Sequence, residues 1–320
     1  IFMVRVRDDD YWTIFSPMDT KISLGYNLNG LYGQKFNNAY IRCEVELKCK
    51  KMIKARKLFF DIIKMQCNTG ESFLFFIDNT NKKSNQSNIG PIVILNLCTE
   101  IVEHTENISV CNLRAVILPN HISSENEFDF TELQYSVRLL VNSLGVIGLA
   151  TLYKKLRYSW EDKKACELNK KIFANMYYAV LDESCNLARE HSPYDNYEGS
   201  SLLKEYGVRN SLLIAPMLTT STSQCVGTGY SEGPFPDESN LMFRETTGGS
   251  FIYVEREMAE MLISKGLWTP KIIDKILDNN GSVQDIKEFP EEMKAIYKTA
   301  FEYSYETIID HAIDRSLYID

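Results

Sequence analysis

Several stretches of the chain repeat apolar side chains at the spacing of a helix. Residues 50–70 place Ile53, Leu58, Ile62 and Met65 near one stripe, and Gly70 suits the end of that helix. The longest helical pattern covers residues 161–191, and the tail from residue 255 onward is predicted to be mostly helical, with helix ends at glycines 266 and 281.

Short apolar runs between these helices indicate strands. The runs are "SFLFFID", "PIVILNLC", "VCNLRAVIL" and "NSLLIAPM", and each has the length and composition typical of a buried strand. A polar segment rich in asparagine and serine, residues 78–91, reads as a loop. Strands that alternate with helices predict an α/β architecture with a largely parallel sheet.

Composition narrows the class of protein. The chain has 320 residues, is 44% apolar and 24% charged, and carries a net charge of −8, which argues against a nucleic-acid binder. No apolar run approaches the roughly 18 residues that a membrane span requires. None of the eight cysteines forms a CxxC pair, so we do not expect a zinc site built from closely spaced cysteines. For the cysteines as a set, we expect a reducing, cytoplasmic setting. Because the chain starts at Ile1 without a signal pattern, we expect it to be part of a longer polypeptide.

The stretch "ILNLCTEI" carries the most unusual set of side chains. Asn96, Cys98 and Glu100 occupy alternate positions, and alternate residues of an extended chain point to the same side. A carboxylate among the inward side chains of an apolar strand is unfavourable unless it is paired, which favours a cleft over a core. The structural alternative is that Cys98 is a buried small apolar residue.

The chemistry of this trio favours a neutral thiol. A neighbouring carboxylate raises the pKa of a thiol, whereas a nucleophilic thiolate requires a nearby cation or helix N-terminus. A protonated sulfur suits hydrogen-atom chemistry, in which Glu100 can take a proton from a substrate hydroxyl and Asn96 can hold a neighbouring group. A hydrolase that uses the thiolate of Cys98 is a weaker alternative.

Two further features are candidates for the same site. Cys111 could be a redox thiol that ends as a disulfide, or a structural cysteine. The run "TTSTSQ", residues 219–224, follows a predicted strand and could cradle a phosphate, although it matches no Walker loop. An ordinary capping turn is the alternative for this run.

Taken in order, many segments resemble the large catalytic subunit of class I ribonucleotide reductase of the eukaryotic and viral type. They are "NKKSNQSNIGPIVILNLCTEIVEHT", "VCNL", "LGVIGLA", "NKKIFANMYYAVLDESCNLARE", "YDNYEG", "GVRNSLLIAPMLTTSTSQ" and "GLW". The resemblance implies the second half of a ten-stranded α/β barrel with a central loop that carries the radical cysteine, plus flanking helices. Residues 1–320 would form a single region, without the family's N-terminal ATP cone and first barrel half.

The resemblance also implies roles for individual residues. Cys98 would be the thiyl radical that abstracts the substrate's 3′-hydrogen, Glu100 the base for the 3′-hydroxyl, and Asn96 a substrate ligand. Cys111 would be one of two cysteines that reduce the 2′-position and become a disulfide. The residues implied to bind the substrate diphosphate are Thr219, Thr220, Ser221, Thr222 and Ser223.

Partners and cofactors follow from the family in the same way. The family reduces ribonucleoside diphosphates to 2′-deoxyribonucleoside diphosphates, uses ATP and deoxynucleotide effectors, and receives its radical from a metal-containing small subunit. Thioredoxin or glutaredoxin would be the reductant, and a homo-oligomer is expected. No cofactor or metal is expected within these residues, and no partnership with nucleic acid or membrane.

The chain departs from the family pattern at several places. Two internal blocks are shortened, one before "LGVIGLA" and one between "YEGSS" and "LLKEYGVRN"; Leu218 replaces a proline, and "TGYSEGP" replaces a run with more acidic and amide residues. These departures leave open an alternative, a degenerate reductase-like protein that acts as a binding or scaffold module. Whether the chain is a segment of a working large subunit or a degenerate relative, we expect no turnover by this segment alone.

Overall fold

The computed structural model describes residues 1–25, 27–48, 50–71, 73–105, 110–141, 143–201, 207–226, 230–246 and 249–320. These residues form two compact units. Unit 1 comprises Ile1–Ser109 and Glu198–Leu203, and unit 2 comprises Val110–Tyr197 and Lys204–Asp320.

Unit 1 contains short helices and one antiparallel strand pair. Its elements are α1 (Phe2–Arg7), β1 (Tyr11–Ile14), α2 (Pro17–Leu24), α3 (Gly33–Glu46), β2 (Lys51–Lys54), α4 (Ala55–Thr69) and α5 (Ile77–Lys83). Strands β1 and β2 pair with each other. Tyr40 fixes α3 to β1, because its hydroxyl donates to the Thr13 carbonyl at 2.8 Å and accepts from the Thr13 N–H at 2.9 Å.

Helix α4 confirms the helix predicted in residues 50–70 but begins later. Residues 51–54 pair as β2, so the helix starts at Ala55 and Ile53 is outside it. Its end is as predicted, since Gly70 adopts the left-handed conformation with φ of 69°.

Unit 2 holds the larger part of the chain. Its elements are β3 (Arg114–Ile117), α6 (Phe130–Arg138), β4 (Leu144–Ile147), α7 (Leu149–Lys155), α8 (Lys163–His191), α9 (Thr220–Cys225), β5 (Leu241–Thr246), β6 (Gly249–Val254), α10 (Arg256–Ser264), α11 (Pro270–Asp278), α12 (Glu291–Lys294) and α13 (Tyr305–Ser316). Short 3₁₀ helices occur at Leu118–His121 and Ala300–Glu302.

A parallel strand pair lies at the centre of unit 2. β3 and β4 run parallel, and Leu144 forms a further parallel bridge to Ile214. All four residues of β4 are buried, as expected for a strand covered on both faces. The long helix α8 packs against α6 and α13. The predicted α/β alternation is therefore confirmed in this unit, although "NSLLIAPM" contributes one bridge instead of a regular strand.

The helical tail forms a second packed layer of unit 2. Buried apolar side chains from α10, α11 and the segment up to Tyr297 form one cluster, which includes Met258, Leu262, Ile276 and Phe289. Gly266 and Gly281 have φ of 67° and 83° and follow α10 and α11, so both predicted helix ends are confirmed.

Two predicted strands are wrong. In "SFLFFID" the residues from Ile77 onward belong to α5, and Phe73 and Phe76 are 48% and 53% exposed. In "PIVILNLC" no strand forms, and Leu97 is 88% exposed. An apolar run becomes a strand only where a neighbouring strand takes its backbone hydrogen bonds, and none of the described strands pairs with either run.

Candidate active site

The segment around Cys98 is a turn, so the extended backbone predicted for it is wrong. The Thr99 N–H donates to the Asn96 carbonyl at 3.1 Å, and the Ile101 N–H donates to Asn96 Oδ1 at 3.0 Å. Thr99 has φ of 63°, in the left-handed region that β-branched residues rarely adopt. The side chain of Asn96 thus closes the turn that presents Cys98, and strained backbone of this kind is concentrated at functional sites.

The side chains of the turn differ in exposure. Asn96 is exposed, while Cys98 and Glu100 are half-buried. Cys98 is a free thiol. Glu100 Oε2 is shielded from solvent and has no hydrogen-bond partner in the described part of the chain. A shielded, unpartnered carboxylate oxygen is available to accept a proton or a hydrogen bond from a bound molecule.

Asn96 has a structural role that alternate spacing did not predict. Its side-chain oxygen accepts a hydrogen bond from the Ile101 N–H, and the NH₂ group of the exposed amide can donate to a ligand.

Cys111 lies in unit 2, three residues before β3. It is an exposed free thiol. An exposed thiol can exchange with a disulfide of another molecule, which a buried structural cysteine cannot.

The hydroxyl-rich run is helical: Thr219 precedes α9, and residues 220–224 form all of that helix except Cys225. Thr219 and Ser223 are 3% and 2% exposed, whereas Ser221 and Thr222 are exposed. Thr219 Oγ1 accepts from the Gly233 N–H at 2.8 Å, and Ser223 Oγ donates to the Thr220 carbonyl at 3.0 Å. Two hydroxyls of the run therefore hold the local structure, and two face solvent.

Residues 231–233 connect this run to α7. Ser231 and Thr151 exchange hydrogen bonds: the Ser231 N–H donates to Thr151 Oγ1 at 2.9 Å, and the Thr151 N–H donates to Ser231 Oγ at 3.1 Å. Thr220 Oγ1 donates to Glu232 Oε2 at 2.7 Å. The hydroxyl run is thereby fixed to the helix that follows the central strand β4.

The predicted residues fall into two groups. Asn96, Cys98 and Glu100 are brought together on one turn of unit 1, whereas Cys111 and residues 219–223 belong to unit 2. The shared pocket expected from the sequence stays a prediction.

A buried ionic cluster in unit 2 was missed by sequence reasoning. Lys154, at the end of α7, lies 2.6 Å from Asp237 and 3.9 Å from Glu255, and its side chain is 3% exposed. Burial raises the pKa of Glu255 to about 7, although Lys154 opposes the shift. Burial alone would lower the pKa of Lys154, but Asp237 and Glu255 raise it. The only signal in the sequence was a lysine on the apolar face of "LATLYKKL".

The described residues contain no group of three or more His, Cys, Asp or Glu placed to hold a metal ion. Within those same residues, no helix is both long and apolar enough to cross a membrane.

Comparison with known proteins identifies the family. The sequence matches the family described as "Ribonucleotide reductase, barrel domain" over residues 1–144, 142–205 and 201–320. The chain belongs to the ribonucleotide reductase family. The matched segments meet near residues 142–144 and 201–205, the two places where the sequence predicted shortened blocks.

Curated relatives in this family align with the whole chain. A ribonucleoside-diphosphate reductase large subunit of Caenorhabditis elegans is 34% identical over 374 residues, covering 100% of this chain and 47% of the relative. The large chain of Cryptosporidium parvum is 35% identical over 375 residues, covering 100% and 46%. The large subunit of variola virus is 34% identical, with 100% and 47% covered. The chain thus spans about half the length of the curated relatives it matches.

A solved structure agrees with this assignment. The Actinobacillus ureae class Id ribonucleotide reductase alpha subunit superposes with a TM-score of 0.66 and 25% identity, over 83% of this chain and 54% of that chain. The predicted fold class, part of a ribonucleotide reductase α/β barrel with flanking helices, is confirmed by these matches. In the described residues the strands form three separate two-stranded sheets.

Proposed function

We propose that residues 1–320 are one region, the second half of the catalytic barrel of a ribonucleoside-diphosphate reductase large subunit. The reaction is the reduction of ribonucleoside diphosphates to 2′-deoxyribonucleoside diphosphates. The observation that carries this proposal is the tight turn that carries Cys98 two residues before Glu100, whose Oε2 is shielded and has no hydrogen-bond partner among the described residues, in a chain of this family.

In the proposed reaction, the sulfur of Cys98 takes the 3′-hydrogen atom of the substrate as a thiyl radical. Glu100 takes the proton of the 3′-hydroxyl, and the 2′-hydroxyl leaves as water after protonation. Cys111 and a second cysteine outside this segment supply two electrons and two protons, and they become a disulfide. The hydrogen atom then returns from Cys98 to the 3′-carbon, Glu100 returns its proton to the 3′-oxygen, and the sulfur radical is regenerated.

We assign substrate binding to residues 219–223, with different roles for the exposed and the buried hydroxyls. The exposed hydroxyls of Ser221 and Thr222 contact the diphosphate, and the buried hydroxyls of Thr219 and Ser223 hold the helix start in place. Asn96 donates its NH₂ group to the substrate while its oxygen closes the turn.

The partners follow from the same chemistry. The radical comes from a metal-containing small subunit, and the disulfide is reduced by thioredoxin or glutaredoxin, for which the exposure of Cys111 is suited. ATP and deoxynucleotide effectors act on parts of the large subunit outside this segment, and the enzyme works as a homo-oligomer in the cytoplasm.

Replacement of Cys98 by serine tests this function. In the full polypeptide to which these residues belong, assayed with its small subunit and a dithiol reductant, Cys98→Ser should abolish deoxynucleotide formation and leave nucleoside diphosphate binding nearly unchanged. Cys67→Ser is the matched control, because Cys67 is an exposed free cysteine of α4 in the same unit. Deoxynucleotide production by the Cys98→Ser variant at the rate of the control would refute the radical assignment.

A further inference from the structure

Glu232 is a carboxylate placed directly on the hydroxyl-rich run. Its Oε2 accepts a hydrogen bond of 2.7 Å from Thr220 Oγ1, and both side chains are half-buried. Thr220 is the first residue of α9 and is followed by the two exposed hydroxyls. A negative charge is therefore held at the start of the segment to which diphosphate binding is assigned.

The backbone on either side of this carboxylate is anchored. On one side, Ser231 exchanges two hydrogen bonds with Thr151 of α7. On the other side, the Gly233 N–H donates to the buried Thr219. Because both adjacent residues are anchored, the backbone at Glu232 is held next to the hydroxyl run.

The consequence for an anionic ligand is electrostatic. A carboxylate about 4 Å from a phosphate lowers its affinity roughly fivefold per pair of charges even in water, and by more where solvent is partly excluded. The same carboxylate also accepts the hydrogen bond of the Thr220 hydroxyl, which would otherwise be available to donate to a phosphate oxygen.

We propose that Glu232 is a specificity-determining residue that lowers the affinity of residues 219–223 for diphosphate. This inference rests on the proposed substrate role of that run. It predicts that the charge of Glu232, and not its hydrogen bond, limits anion binding. In turnover, its removal lowers the KM for the nucleoside diphosphate and leaves kcat nearly unchanged.

The test is the binding of inorganic pyrophosphate to the full chain, measured by calorimetry. Glu232→Gln keeps a carbonyl oxygen that accepts from Thr220 and removes the charge. We expect it to bind pyrophosphate about tenfold more tightly than the wild type at low ionic strength. Because this is a charge effect, the gain should shrink to less than about twofold at 1 M salt, where the Debye length is about 3 Å.

Glu238→Gln is the matched control, since Glu238 is an exposed carboxylate six residues further along the same segment. It should change pyrophosphate binding less than twofold. If Glu232→Gln does not fold, as judged by circular dichroism, Glu232→Ser removes the charge with a smaller side chain and repeats the comparison.

Three results would overturn the inference: binding by the neutral variant that is equal to or weaker than wild type, a gain that persists at 1 M salt, or no pyrophosphate binding by any variant. Pyrophosphate binding does not depend on radical chemistry at Cys98. A failure here is therefore distinguishable from a failure of the proposed reduction, which the Cys98→Ser assay decides.

Discussion

The two units differ in how their apolar side chains are used. In unit 2, Tyr153 and Phe173 are fully buried, and strand β4 is buried along its whole length. In unit 1, α1 buries none of its residues and α4 buries only Ala55. Large apolar residues of unit 1 such as Phe60 and Leu97 are 62% and 88% exposed.

This contrast separates the residues of the proposed chemistry from those of the scaffold. The turn with Cys98 and Glu100 belongs to the sparsely packed unit and is held by hydrogen bonds that Asn96 accepts. The hydroxyl run with Thr219 belongs to the densely packed unit, where it is tied to Gly233. We therefore expect substitutions of core residues to destabilise unit 2. In unit 1, substitutions of hydrogen-bonding side chains should affect stability more than substitutions of apolar ones.

The largest effect is expected from the core of unit 2. Phe173→Ala should lower the free energy of unfolding by about 3–5 kcal/mol, because it removes a fully buried aromatic ring. Phe60→Ala, on the exposed face of α4, should change it by less than about 0.5 kcal/mol. Urea denaturation of both variants measures the difference, and equal losses would contradict the contrast between the units.

The next effect concerns Glu255, the buried carboxylate of the ionic cluster in unit 2. Its pKa is raised by burial from 4.5 to about 7, so the folded state holds the proton more tightly than the unfolded state. Its contribution to stability is fully present below pH 4.5 and is lost as the pH rises through about 7. The loss amounts to about 3 kcal/mol for a shift of this size.

Glu255→Gln isolates this titration. Glutamine can still accept from the Met258 N–H, which Glu255 caps at 2.7 Å, but it cannot ionise. The variant should be about 2–3 kcal/mol more stable than wild type at pH 8 and nearly equal to it at pH 4.5. The free energy of unfolding of both proteins, measured between pH 4.5 and 8, tests this prediction. If the two pH profiles are parallel, another group is responsible for the pH dependence.

A smaller effect is expected from the ion pair that links α1 and α3 of unit 1. Nη1 and Nη2 of Arg5 each donate to Glu44 at 2.6 Å, and the guanidinium lies 5.6 Å from the ring centroid of Trp12. Arg5→Lys keeps the charge but loses the paired geometry and the stacking, so unit 1 should lose about 1–2 kcal/mol.

Arg42→Lys is the control for this change, since Arg42 pairs with Glu46 on the exposed surface of α3. Its effect should stay below about 0.5 kcal/mol. Local unfolding followed by amide hydrogen exchange in unit 1 measures both variants. Equal protection in the two proteins would show that the geometry of the Arg5 pair contributes little.

Local patterns predicted the helices well and the site only in part. Helix α8 and the glycine stops at residues 70, 266 and 281 follow from spacing and backbone conformation, which are local properties. The turn at Cys98 was missed because its apolar run is indistinguishable from a strand until the hydrogen-bond partners are known. The pairs Lys154–Asp237 and Thr220–Glu232 join residues far apart in sequence or in separate elements, which periodicity cannot reveal.

The measurement that tests the central claim most directly is competition between a ribonucleoside diphosphate and its 3′-deuterated form. If the sulfur of Cys98 removes the 3′-hydrogen, the product formed early in the reaction should be enriched in the unlabelled species, and the Cys98→Ser variant should form no product. Equal rates of conversion of the two substrates, together with an active Cys98→Ser variant, would contradict the account.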